Sequence, residues 1–88
     1  MIQLRFFGAL RKYADANGFY PLPLDAGQEV SAGDVKRAVL LELSRAGSPF
    51  DPTLISQSVL ADETSIVQDH EVIRLQDGIA LLPPVCGG

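Results

Sequence analysis

The sequence predicts an α+β domain: a mixed β-sheet with one main helix packed on one face. Three observations carry this. Ile2, Leu4 and Phe6 fall on one side of an extended segment, with Gln3, Arg5 and Phe7 on the other. Val35, Val39, Leu40 and Leu43 recur at helical spacing on one face. Residues 79–82 are apolar on both faces, as suits a strand at the centre of a sheet. Two N-terminal strands, a crossover helix and a C-terminal strand fit a mixed sheet covered by that helix.

Taken in order, the first strand ends at Gly8. Phe7 is an aromatic on the face that its neighbours mark as polar. Residues 9–14 read as one or two helical turns, and Asn17-Gly18 as a turn. Residues 19–24 form a second strand, antiparallel to the first. It carries Pro21 and Pro23, which cannot donate to a ladder, so it belongs at an edge. Ala26-Gly27-Gln28 is a loop. Ser31, three residues before Asp34, is a helix cap followed by an acidic first turn. Lys36, Arg37 and Glu42 lie off the apolar stripe of the helix. Ala46-Gly47-Ser48-Pro49 stops it. Residues 50–56 form a loop with room for a short helical turn. Residues 59–61 are a short strand, Asp62-Glu63-Thr64 a polar turn, and Ser65-Ile66-Val67 follows. Residues 71–75 are extended, and Gln76-Asp77-Gly78 turns into the last strand.

Eighty-eight residues make one domain with a modest core. Apolar residues at 47% and charged residues at 20% mark a globular chain. No apolar run approaches the ~18 residues that span a bilayer. The alternating N-terminus lacks the basic start and long apolar stretch of a signal peptide. A cytoplasmic protein with no membrane partner is expected. One cysteine forbids an internal disulfide and a cysteine-based metal cluster. His70 is the one histidine and reads as a loop residue, not a metal ligand or catalytic base. A net charge of −4 argues against nucleic acid, which needs a cationic footprint. It fits a protein partner with a basic surface, and also simple solubility.

No glycine-rich phosphate loop, paired acid/base motif or nucleophile motif appears. The group offered for chemistry is at the end of the sequence: Pro83-Pro84-Val85-Cys86-Gly87-Gly88. Gly88 is expected to carry the α-carboxylate. A Gly-Gly end is slim enough to thread a narrow channel, and the two prolines hold an extended stem with no N–H to donate. Residues 1–82 are thus read as the domain and 83–88 as an extended tail. A functionless frayed end is the ordinary alternative. A carboxylate is a poor acyl donor because its leaving group would be oxide. Joined to AMP as a mixed anhydride it becomes reactive, and a sulfur nucleophile can displace the AMP. The product is a thioester or, where sulfur stays behind, a thiocarboxylate. Nothing in this chain could adenylate it, so an ATP-using partner is implied.

The opening residues Met1 to Arg11 and the closing Leu81-Leu82-Pro83-Pro84-Val85-Cys86-Gly87-Gly88 resemble the ubiquitin-like sulfur carriers. They resemble most the small subunits of molybdopterin synthase, which typically end Pro-Pro-Val-x-Gly-Gly. Thiamine-pathway carriers share Gly-Gly but usually lack the Pro-Pro-Val stem. The resemblance covers nearly the whole chain in element order and is specific at its two ends. It implies a β-grasp fold. It makes Gly88 the site of adenylation and thiocarboxylation, and sends Gly87 with the Pro83, Pro84, Val85 and Cys86 stem into a partner's active site. It makes Phe7, Ile66 and Leu82 a docking patch for the large synthase subunit, with Arg11 a basic residue near it. Read singly, Ile66 and Leu82 would be core residues, and Phe7 could pack under the loops. The implied partners are that large subunit in a heterotetramer, an ATP-dependent adenylating enzyme and a persulfide sulfur donor. No cofactor is bound by this chain itself; the ATP is used by the activating partner.

Two positions depart from the family's pattern. Asp77-Gly78 runs directly into Ile79 where an acidic pair is common, and leucines stand at 81 and 82 where aromatics are common. Both are expected to touch the partner surface. Cys86 reads as a tolerated small residue, although a thiol there could attack an adenylate or pair with a persulfide. Three other functions stay open from sequence: a carrier for thiamine, cysteine, tRNA thiolation or a specialised metabolite; a ubiquitin-like protein modifier; and an interaction module with an inert tail.

Overall fold

The computed structural model describes residues 1–84. The expectations for Val85, Cys86, Gly87 and Gly88 lie outside the described residues. In chain order the elements are β1 (Ile2–Phe6), a 3-10 segment (Gly8–Tyr13), β2 (Phe19–Leu22), β3 (Glu29–Ser31), α1 (Ala32–Ala46), α2 (Pro52–Gln57), β4 (Val59–Ala61), β5 (Ile66–Val67), β6 (Val72–Arg74) and β7 (Ala80–Leu82).

Five strands form one mixed sheet in the order β2-β1-β7-β4-β5. β1 and β7 run parallel at its centre, and the other neighbouring pairs are antiparallel. β3 and β6 form a separate two-stranded ladder. The sheet holding one long helix on one face is a β-grasp-like fold. β7 lies between β1 and β4, as its two-sided apolarity requires. β2 lies at an edge, and the exposed Pro21 occupies it without interrupting a second ladder.

One core joins the inner face of the sheet to α1. Ile2, Leu4 and Phe6 of β1, Leu22 of β2, Leu60 of β4 and Leu81 of β7 meet Val35, Val39 and Leu43 of the helix. Ile79, Leu75 and Ile73 extend it toward the β3–β6 ladder. The Tyr20 ring stacks on Phe6 with centroids 5.0 Å apart. Burial holds the Tyr20 hydroxyl above its ordinary pKa, and the nearby Glu42 carboxylate pushes the same way.

The helix begins where Ser31 Oγ accepts from Asp34 N at 3.1 Å. It ends at Gly47, whose φ of 75° is the left-handed closure that glycine tolerates. Lys36, off the apolar stripe of the helix, is nonetheless only 6% exposed. Its Nζ donates to Ser56 O at 2.6 Å and to the two Asp69 carboxylate oxygens at 3.0 and 3.2 Å. Those partners make the burial of an ammonium tolerable. They tie α1 to α2 and to the turn after β5.

Three segments differ in detail from the sequence expectation. Residues 29–31 form β3, residues 52–57 a full helix capped by Asp51, and residues 8–13 a 3-10 helix in place of α-helical turns. The Asp51 cap accepts from Thr53 N and Leu54 N, and Pro52 opens the helix.

Candidate functional site: the outer face of the sheet

The face of the sheet away from α1 follows from strand register. Residues opposite one another on neighbouring strands share a face. Phe19 pairs with Arg5, Arg5 with Ala80, Ala80 with Ala61, and Ala61 with Ile66. One row of side chains therefore crosses all five strands. A second row follows from Leu82 opposite Val59. Phe7 continues it, because its backbone is still extended and its N–H donates to Leu81 O at 3.3 Å.

This face is apolar and only partly covered. Phe7 is 37% and Ile66 55% exposed; Leu82, Val59, Ala61 and Ala80 are half-buried. The two alanines form a low floor between Arg5 and Ile66. Strand spacing of ~4.8 Å puts Ile66 roughly 14 Å across the sheet from Arg5. Phe7 and Leu82 are thus neighbours, and Ile66 marks the far edge of the same surface.

Local structure presents each ridge. Ile66 follows a tight turn held by Asp62, whose Oδ1 accepts from Thr64 N at 2.9 Å and Ser65 N at 2.8 Å. Those backbone hydrogen bonds hold the exposed Asp62 carboxyl below the usual carboxylate range. At the other ridge, Gly8 turns the chain out of β1 with φ of +56°. A Cβ on Gly8 would stand 2.9 Å from Pro83 Cγ. Only glycine lets the start of the 3-10 segment lie against the stem that leaves β7.

The charges on this face are segregated. The Arg5 guanidinium lies 5.3 Å from the Phe7 ring centroid and 5.7 Å from that of Phe19. Arg5, Phe6, Phe7, Arg11, Asn17 and Gly18 line a cleft of about 90 Å³. No carboxylate lines it, and neither arginine forms an ion pair among the described residues. On the other side of Phe19, Asp15 and Asp77 line an open groove with Gln3. Asp77 Oδ1 accepts from Gln3 N at 2.8 Å, and Gly78 N donates to Gln3 O at 2.9 Å.

Of the residues singled out from sequence, the structure gathers Phe7, Arg11, Leu82, Pro83 and Ile66 on or beside this one face, and Pro84 is half-buried next to Pro83. Leu81 is different: it is 0% exposed and belongs to the core, so a leucine there alters packing and not the surface. The Asp77-Gly78 turn lies at the Gln3 end of β1, away from Phe7. Sequence reading missed Arg5, Phe19, Val59, Ala61 and Ala80. The alternation that marked Phe7 already placed Arg5 beside it. The other four depend on pairing between strands distant in sequence.

No protein-family model matches this sequence, and no curated protein is similar to it in sequence. No helix among the described residues is long and apolar enough to cross a membrane.

Proposed function

We propose that this chain is a sulfur carrier of the cytoplasm, the small subunit of a molybdopterin synthase. Gly88 is adenylated by an ATP-using partner, with release of pyrophosphate. The terminal sulfur of a persulfide donor then displaces AMP to give an acyl disulfide. A thiol attacks the donor-side sulfur of that S–S bond, leaving the donor as a disulfide and releasing the thiocarboxylate, which supplies sulfur to a pterin precursor held by the large subunit. The chain's own part is to present the acyl end and to dock. The observation that carries this reading is the continuity of tail and surface. The Pro83 stem of the Gly-Gly tail follows directly on Leu82 and lies against Gly8, the residue after Phe7, so it leaves the sheet beside these two residues of the apolar face. A partner that covers this face would receive the tail directly.

ATP–pyrophosphate exchange tests the first step. The adenylating enzyme of the same cell should exchange label in the presence of the intact chain and not with a chain lacking Gly88. Exchange that is indifferent to Gly88 would overturn the proposal. The unusual Asp77-Gly78 turn favours a second reading, a carrier of the same chemistry serving another pathway. Failure to form dithiolene with a molybdopterin synthase large subunit, despite normal charging, would select it.

A further inference from the structure

Arg5 stands one strand in from the β2 edge of a largely apolar surface. It belongs to the row that runs from Phe19 through Ala80 and Ala61 to Ile66. Its guanidinium is held over two aromatic rings and is not neutralised by any carboxylate among the described residues. In water this costs nothing. Once a partner covers the face, the guanidinium loses its hydration, and an unpaired buried charge is strongly unfavourable. Arg11 borders the same cleft, so its field adds to the demand. The chain's acidic excess does not answer it: Asp15 and Asp77 line the adjoining groove beside Phe19, accept backbone hydrogen bonds there, and form no ion pair with Arg5.

We infer that the protein partner covering this face presents an aspartate or glutamate side chain into the cleft between Arg5 and Arg11. The inference rests on the docking role given to the face above and names the chemistry of the partner's surface there. A carboxylate matches the forked donors of a guanidinium, and the cleft's volume of about 90 Å³ suits a group of that size. Phe7 and Phe19 hold the Arg5 head in place before binding, so little side-chain freedom is lost on docking. The net charge of −4 suggests a basic partner surface; at this cleft the requirement is the reverse.

The sign of one substitution decides the matter. Binding of wild type, Arg5→Met and Ile66→Asp is measured by calorimetry against the large synthase subunit and the adenylating enzyme of the same cell, at low and high salt. With a carboxylate opposite, Arg5→Met weakens binding by about thirtyfold or more and flattens its salt dependence. With an apolar or cationic surface opposite, Arg5→Met binds as tightly as wild type or more tightly, and the inference fails. Ile66→Asp separates this from the parent reading. Loss of binding by Ile66→Asp together with unchanged binding by Arg5→Met sinks the carboxylate alone. Unchanged binding by Ile66→Asp, or a wild-type chain that binds neither probe, removes the docking face and this inference with it.

Discussion

Replacing Gly8 by Ala perturbs the junction between the sheet and the tail stem, and its cost can be worked from two separate terms. The first is backbone. At φ of +56° an L side chain pays about 1–2 kcal/mol that glycine does not. The second is contact. The new Cβ would meet Pro83 Cγ at 2.9 Å, whereas ordinary contact begins at 3.4 Å, so the stem must withdraw by at least half an ångström. Crowding of this kind adds about 1 kcal/mol or more. A loss of about 2–3 kcal/mol is therefore expected, large against the ~4–13 kcal/mol typical of a domain this size. Urea unfolding of Gly8→Ala, Pro83→Ala and the double variant separates the terms. Removing Pro83 Cγ should restore at least about 0.5 kcal/mol to the Gly8→Ala chain and leave the backbone term in place. A Gly8→Ala cost below about 0.5 kcal/mol would refute the reasoning, and strictly additive variants would refute the contact.

Other consequences follow from the same geometry. Ile66→Asp should change stability by no more than about 0.5 kcal/mol, because the side chain is 55% exposed, yet abolish binding to the large subunit; a variant that unfolds or binds normally contradicts the role given to Ile66. Lys36→Met should cost about 1–3 kcal/mol in urea unfolding, since it strands the Ser56 carbonyl. It should cost less than breaking a fully buried pair, because the Asp69 side chain, 63% exposed, regains water. Tyr20 carries a raised pKa, so its neutral form is favoured in the folded state. Its contribution is intact below the unfolded value near ~10 and is lost as pH rises through the folded one. The alkaline fall in stability should therefore be shallower in Tyr20→Phe, as read by denaturant midpoints across that range.

Much of the fold is legible because short-range rules and the global packing agree. The alternation in Ile2–Phe6 names the buried face, the Ser31 and Gly47 caps bound α1, and the two-sided apolarity of residues 79–82 places β7 at the centre. The burial of Lys36 was not legible because helical spacing counts apolar residues and cannot see an ammonium satisfied by Ser56 and Asp69, 20 and 33 positions away. β3 was missed because Glu29–Ser31 is three residues long, and its strand character comes from pairing with Val72–Arg74. The candidate site divides the same way. Phe7 stood out within its own strand. The meeting of Phe19, Arg5, Ala80, Ala61 and Ile66 in one row depends on register between segments up to 75 positions apart, Arg5 to Ala80, which no local pattern encodes. Ile66 shows the converse. A lone isoleucine in a short apolar run reads as core, and the Asp62 turn is what directs it outward.

The central claim is that Gly88 is an acyl end that carries sulfur. Top-down mass spectrometry of the protein purified from its native host tests it most directly, with fragments that isolate residues 83–88. Oxidation of Met1 or Cys86 nearly mimics the exchange of oxygen for sulfur, so the mass shift must be localised to Gly88. The account predicts a thiocarboxylate there, in at least part of the population. It is contradicted by a Gly88 carboxylate that resists charging by the cell's ATP-dependent activating enzyme, or by a Gly88 joined through an ordinary peptide bond to further residues.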